Sequence, residues 1–230
     1  GWDKTITDVT ASVTYTATYT EKAKAATITF VNEDGTELQK GTVAIGDTPA
    51  YTGSTPTKAA DTQYTYTFAG WMPEVVAVTS DATYTATYTS TVNNYTITWL
   101  NDDNSVIDTT TVAYGTVPTH ADATKAADAQ YTYTFAGWTP EVVAVTGDAT
   151  YTATYASTVN NYDYTIHHYL RGTTDKVKDD EAGSAAYGST VTPTLATNYL
   201  TTDLRVDVVN PTQTVTISDG NNEITIYYTL

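Results

Sequence analysis

Cysteine is absent from this 230-residue chain, which removes disulfide bonds, thiolate nucleophiles and cysteine-bound zinc together. Methionine occurs once and leucine is sparse, so the usual filling of helical cores is missing. No apolar run reaches the roughly eighteen residues that a membrane-spanning helix needs. Positive charge is scarce as well: ten Lys and Arg stand against twenty-six Asp and Glu, a net charge of −16. Such a surface repels phosphate backbones and excludes nucleic acid as a partner. The same charge keeps a long exposed chain soluble. What fills the sequence instead is tyrosine, twenty residues of it, and more than fifty threonines. Both types suit a pleated, half-buried strand, and they point to several small β modules rather than one large domain.

Internal self-similarity is the dominant signal. Residues 63–88 read QYTYTFAGWMPEVVAVTSDATYTATY and residues 130–155 read QYTYTFAGWTPEVVAVTGDATYTATY, with 24 of 26 positions identical. Upstream, Thr27-Ile28-Thr29-Phe30 matches Thr96-Ile97-Thr98-Trp99, and Ile45-Gly46 matches Tyr114-Gly115. Gly1-Trp2 followed by SVTYTATY at 12–19 reproduces Gly70-Trp71 followed by DATYTATY at 81–88. The expected boundaries are 1–21 for the C-terminal part of a truncated repeat, 22–91 for the first full repeat, 92–158 for the second, and 159–230 for a different β module. Short Thr-Val-Asn-Asn linkers are expected at Thr91–Asn94 and Thr158–Asn161.

Within one repeat, strands are expected at Thr27–Val31, Leu38–Ile45, Gln63–Trp71 and Thr83–Thr89. Asn32-Glu33-Asp34-Gly35 reads as a hairpin turn, with Gly suited to positive φ. Tyr64, Tyr66 and Phe68 fall on one face of their strand, and Tyr84, Ala86 and Tyr88 on one face of the last. The stretch from Asp47 to Asp61 is an irregular crossover, with Lys58-Ala59-Ala60 as a candidate helical turn. The fold class expected is therefore mainly β, an α+β β-grasp-like module, repeated in tandem as an elongated rod.

The pattern TITFVNEDGTEL, then YTFAGW, then a V-T-x-DATYTATY ending resembles the Listeria–Bacteroides repeat, the B-repeat family of internalin-type surface proteins. The resemblance covers 25–91 and 92–158 fully and 1–20 in part. It implies a ubiquitin-like β-grasp fold, an extracellular location and a role in surface-protein stalks. Asn104 stands where the first repeat has Gly35, and Asn tolerates the left-handed turn. The last module, with YTIHHYLRGTTDKV at 164–177, AYGSTVTP at 186–193 and EITIYYTL at 223–230, is similar to the mucin-binding-protein domain family. That likeness implies a further β-grasp module on a cell-surface protein. The lack of cysteine fits Gram-positive surface proteins, which often do without disulfides.

Sites of chemistry are few. His167 and His168 are neighbours on a strand and face opposite ways, so they do not chelate one metal. Glu74 with Asp81, and Glu141 with Asp148, form a carboxylate pair of glycosidase type, but adjacent small modules rarely duplicate an active site, and turn and edge solvation is the reading kept. The acidic turns Asn32-Glu33-Asp34 and Asn101-Asp102-Asp103-Asn104 offer hard oxygens to calcium but lack the staggered spacing of a calcium loop. Lys58 and Lys125 are the lysines common to both repeats, and they lie in the crossover rather than on a first strand, where an intramolecular lysine–asparagine isopeptide bond would start. Trp71 and Trp138, with Trp2 as the truncated equivalent, are read as core anchors rather than sugar platforms. Tyr66, Phe68, Tyr133 and Phe135 are read as further structural anchors. No catalytic residue, cofactor site or metal site is expected.

These readings add up to a non-enzymatic stalk or spacer region of a bacterial cell-surface adhesin, cell-wall anchored in its full-length form and projecting a binding region outward. The rival is a C-terminal module that itself binds host glycan of mucin type or a host protein. The chain is expected to be a monomer that is not membrane-embedded, with strand exchange through residues 1–21. That segment is expected to be either disordered or borrowed as an extra strand by a neighbouring sheet.

Overall fold

The computed structural model describes residues 1–8, 10–22, 24–199, 207–209 and 213–230. Residues 200–206 and 210–212 of the expected last module, and 9 and 23 near the start, lie outside the described residues. The chain divides into two compact units, Gly1–Asn94 with Ala113–Gly115 and Tyr95–Val112 with Thr116–Leu230.

The first unit holds β1 (Ala25–Val31), β2 (Glu37–Ala44), β3 (Tyr64–Met72) and β4 (Ala82–Val92), in one sheet of order β2-β1-β4-β3. The central β1 and β4 run parallel, and the outer strands pair antiparallel to them. Burial alternates with period two, as strands require. Ala26, Ile28 and Phe30 on β1 and Tyr84 and Ala86 on β4 are buried, while the threonines between them line the other face. Tyr51, Trp71, Val75 and Val78 close over the apolar face.

In the second unit, β5 (Asn94–Leu100), β6 (Val106–Ala113), β7 (Tyr131–Thr139) and β8 (Ala149–Val159) repeat that order as β6-β5-β8-β7, again with the central pair parallel. The remaining strands are β9 (Asn161–Leu170), β10 (Glu181–Ala186), β11 (Thr190–Val191), β12 (Asp207–Val208), β13 (Val215–Thr216) and β14 (Glu223–Thr229). They form a sheet of order β10-β9-β14-β12 and a small β11-β13 pair, with β9 and β14 parallel.

The expected α component is corrected: no helix occurs among the described residues, and Lys58-Ala59-Ala60 lies in irregular chain. Pro49 and Pro56 push their preceding residues toward extended conformations. Side-chain amides then supply the backbone partners that a helix would have made internally. Gln39 Nε2 donates to Ala50 O at 3.0 Å, Thr52 N donates to Gln39 Oε1 at 2.8 Å, and Asn32 Nδ2 donates to Thr57 O at 3.1 Å. At the end of the strap Gly46 N donates to Val78 O and Val78 N to Asp47 O. The crossover is thus an extended strap pinned at several points.

The expected linkers are corrected too. β4 runs to Val92 and β5 starts at Asn94; β8 runs to Val159 and β9 starts at Asn161. Only Asn93 and Asn160 stand between strands.

The Gly-Trp doublet is explained by a β-bulge. The β3–β4 register shifts between Phe68 and Gly70, and the β7–β8 register shifts at the same place, between Phe135 and Gly137. Both glycines sit at φ near +135° (135° and 134°). The extra residue turns Trp71 onto the face that Phe68 already occupies, and the two rings meet edge-on at 5.3 Å. A Cβ at Gly70 would meet nothing within 4 Å, so the dihedral and not space demands glycine. Gly70→Ala is therefore expected to cost about 1–3 kcal/mol, read from chemical denaturation of the first unit. Gly41→Ala on β2, with open space and no positive φ, should stay within about 0.5 kcal/mol. Equal effects of the two would remove the bulge argument.

Residues at the N-terminal end, expected to be disordered or borrowed by a sheet, pair with one another within the single chain. Trp2 bridges Ala17 antiparallel, Asp3 N donates to Thr16 O at 2.9 Å, and Thr18 N donates to Gly1 O at 2.8 Å. The register is that of Trp71 opposite Ala86 in β3–β4.

Candidate functional site

The two repeats place the same side chains in three groups, of which the first is aromatic. Phe30 is almost fully buried, with Trp71 at 4.7 Å, Tyr84 at 5.2 Å and Tyr51 at 5.5 Å between ring centroids. In the second repeat Trp99 takes that centre at 0% exposure, with Trp138 at 4.8 Å, Tyr151 at 5.0 Å and His120 at 5.0 Å. The tryptophans meet these centres edge-to-face and the other rings stack or tilt on them, contacts that add to the burial of large rings. Trp71 and Trp138 pack on these clusters while partly exposed. Phe68 and Phe135 touch them from the rim, each with its ring 5.3 Å from the tryptophan. The central Phe30 and Trp99 escaped the sequence reading. The signal was there, an aromatic in a Thr-Ile-Thr-x strand at the same place in both repeats.

The second group is polar and half-exposed. Tyr66 donates to Asp61 Oδ2 at 2.8 Å, Lys58 Nζ lies 4.2 Å above the Tyr66 ring, and the same ammonium meets Glu33 Oε1 at 2.6 Å. In the second repeat Tyr133 donates to Asp128 Oδ2 at 2.7 Å, and Lys125 sits 4.4 Å above Tyr133 and pairs with Asp102. The Tyr66 hydroxyl and then the Tyr64 N–H hold the Asp61 carboxyl below its ordinary value, and Asp61 in turn raises Tyr66. Bonding to Glu33 raises Lys58, and bonding to Asp102 raises Lys125. A lysine that forms an amide with a side chain must be neutral and buried. These are charged and about one-third exposed (30% and 33%), the wrong state for an isopeptide bond.

Joints make up the third group. Asn93 N donates to Gln63 O, Asn93 Nδ2 donates to Asp61 O at 2.7 Å, and Thr65 Oγ1 donates to Asn93 Oδ1 at 2.7 Å. Asn160 makes the same bonds to Gln130, Asp128 and Thr132. Beyond that joint Tyr187 N donates to Asn160 O, and the Tyr162 hydroxyl donates to Ala129 O at 2.8 Å.

The carboxylates weighed as a catalytic pair are placed differently. Asp81 Oδ1 accepts the Thr27 N–H at 2.7 Å and Asp148 Oδ1 accepts the Thr96 N–H at 2.8 Å, whereas Glu74 and Glu141 are exposed. The acidic turns close on themselves: Asp34 Oδ1 accepts Thr36 N, and Asp103 Oδ1 accepts both the N–H and the hydroxyl of Ser105. Among the described residues no group of three or more His, Asp or Glu stands where it could hold a metal ion.

The last module contains a buried polar chain that the sequence did not announce. His168 is 0% exposed. Its Nδ1 lies 2.8 Å from the Tyr228 hydroxyl and its Nε2 lies 3.0 Å from Glu181 Oε1. The ionised Glu181 only accepts, so neutral His168 carries its hydrogen on Nε2 and donates it there. That leaves Nδ1 to accept the Tyr228 proton, while Tyr228 Oη accepts the Ala196 N–H at 3.1 Å. Glu181 accepts as well from Lys178 Nζ at 2.7 Å and Thr194 N at 2.9 Å. Burial pushes His168 below its ordinary value, Lys178 adding to that against the pull of Glu181. Burial alone would raise Glu181, but Lys178 and the Thr194 N–H bring it below. Burial raises Tyr228. Both ring nitrogens of His168 are engaged and enclosed, so the ring offers no face to a substrate. Its neighbour His167 points the other way, 3.0 Å from Asp180 Oδ2 without the alignment of a hydrogen bond. Lys176 pairs with the same Asp180 oxygen at 3.0 Å.

No protein-family model matches the chain, and no curated protein does. The likenesses to the Listeria–Bacteroides repeat and the mucin-binding-protein domain stay likenesses of motif. Among solved structures the chain is similar to Streptococcal High Identity Repeats in Tandem (SHIRT) domains 3-4 from a cell surface protein. The identity is 17% and the TM-score 0.31, with 59% of this chain and 99% of that chain covered. A likeness of that size says nothing of what the present chain binds or does.

Proposed function

We propose that the chain is a non-enzymatic spacer from the stalk of a bacterial surface protein, built from β-grasp-like modules of the Listeria–Bacteroides kind in which an extended strap stands in for the helix. One observation carries this reading: the side chains that the repeats duplicate go to cores, straps and one-residue joints. Asn93 and Asn160 each hold the turn of the module before them. A repeat that duplicates its joint as faithfully as its core is selected for how it continues. The absence of nucleic-acid and membrane partners, the location outside the cell and the cell-wall anchor belong to the same proposal. We prefer it to a glycan-binding last module because Lys178, the basic group beside the cleft at Val177, Leu195 and Ala196, is already bonded to Glu181 and Thr194. Small-angle scattering tests the spacer reading: the radius of gyration should lie well above the about 17 Å of a compact chain of this length. A value near that figure would rule out a spacer.

A further inference from the structure

Every module of this chain begins and ends on two strands that lie side by side and run the same way. β1 pairs with β4 over Ile28–Val31 against Ala82–Thr85. β5 pairs with β8 over Ile97–Leu100 against Ala149–Thr152, and β9 pairs with β14 over Thr165–Leu170 against Glu223–Tyr228. The chain enters at the start of the first strand and leaves at the end of the last. A pull along the chain therefore drags the two neighbours in opposite directions along their own axes. All hydrogen bonds of the pair are loaded together, where an antiparallel pair pulled at its open end would yield one bond at a time.

Side chains close both ends of this pair in the repeats. At one end Asp81 Oδ1 accepts the Thr27 N–H at 2.7 Å, and at the other the Tyr88 hydroxyl donates to Asn32 Oδ1 at 2.6 Å. The second repeat has Asp148 with Thr96 at 2.8 Å and Tyr155 with Asn101 at 2.8 Å. The recurring D-A-T-Y-T-A-T-Y ending thus begins on a residue that binds the first strand and ends on one that binds the turn just after it. The last module has a staple of its own at the first end, where Asn222 Nδ2 donates to Asp163 O at 3.1 Å, and a longer parallel pair, extended by Thr165 N to Asn222 O and Arg171 N to Tyr228 O. In its core His168 of β9 is bonded to Tyr228 of β14.

We propose that each module is a mechanical clamp, in which the parallel first–last strand pair and its side-chain staples set the resistance to a pull along the chain. The purpose of the clamp rests on the spacer reading; its existence does not. Force spectroscopy on the whole chain held at its two ends tests it. Unfolding events should each release on the order of 200 Å of chain. Asp81→Ala should make one module unfold about tenfold faster at fixed force, as expected for loss of a charge-assisted bond, and Asp148→Ala a second. Asp81→Asn, which keeps an acceptor oxygen, should recover most of the difference. Since the chain has no cysteine, Thr65→Cys with Thr91→Cys creates handles on opposed residues of β3 and β4. Pulling there peels one strand from the other, and that event should come at clearly lower force and ignore Asp81→Ala. Equal force in the two geometries, or an equal effect of Asp81→Ala in both, would show that resistance merely follows overall stability and would overturn the clamp. A compact scattering radius with these force results intact would sink the spacer reading alone.

Discussion

Trp99→Ala is expected to cost the second repeat about 3–5 kcal/mol, the range for emptying a large aromatic from a core. Trp99 is wholly buried, and Trp138, Tyr151 and His120 all pack on it, so no neighbour can collapse into the space without leaving another ring. A module of this size has little stability to lose, and the loss should unfold it. Hydrogen exchange gives the local readout that a chain of several modules requires: amides of β5 and β8 should lose protection, while those of β1 and β4 keep theirs. Trp138→Ala, at a partly exposed position, should cost less. Retained protection in β5 and β8 after Trp99→Ala would mean that the aromatic cluster is not the core of the repeat.

The second large effect belongs to the last module and is set by pH. Folded His168 is neutral and its value is lowered, whereas in the unfolded chain it titrates near 6.5. Between those two values the unfolded state binds the extra proton, so stability is full above about pH 6.5 and falls as pH drops toward the folded value. A protonated ring would give Tyr228 a second donor to accept and leave the tyrosine proton without an acceptor. Glu181, also lowered, adds a further loss below its ordinary 4.5. Tyr228→Phe removes the hydroxyl outright and orphans both His168 Nδ1 and the Ala196 N–H, at an expected cost of about 2–5 kcal/mol for two unsatisfied groups. Thermal melts between pH 7.5 and 5 should show the last transition moving down in the native chain, and starting low in Tyr228→Phe. A last transition indifferent to both would place the His168 chain outside the energetics of folding.

Strand positions were legible because the pattern that reveals them is local: Thr-Ile-Thr-Phe alternates, and alternation is what a half-buried strand needs. The turn at Asn104 was legible for the same reason, since Asn there and Gly35 in the first repeat both take positive φ, 66° and 85°. The strap was misread because Lys58-Ala59-Ala60 has helical composition, while the groups that hold the strap extended, Gln39 and Asn32, lie about twenty residues away in β2 and the first turn. Trp71 and Trp138 were legible as packed rings, but the bulge that aims them was not, because it appears in sequence only as a glycine. His168 was the least legible. Its partners Glu181 and Tyr228 are 13 and 60 residues distant, and nothing in Ile-His-His-Tyr shows which imidazole turns inward.

The exchange of Phe30 and Tyr51 for Trp99 and His120 has a bearing on how the chain reaches its native pairing. β3 and β4 are nearly interchangeable with β7 and β8, as 24 identical positions of 26 imply, and a nascent chain that samples both has every chance to mate the wrong halves. The first strand and the strap are where the repeats differ, and the differing residues touch: Phe30 meets Tyr51, and Trp99 meets His120. Exchanging β3 and β4 for β7 and β8 leaves both couples intact. A product that took up the other repeat's first strand while keeping its own strap would set Phe beside His and leave a void, or Trp beside Tyr and crowd the core, each at a loss of about 1 kcal/mol or more. Paired differences in ring size thus act as a key and its ward, letting two copies of one sequence sit on one chain while each accepts its own first strand.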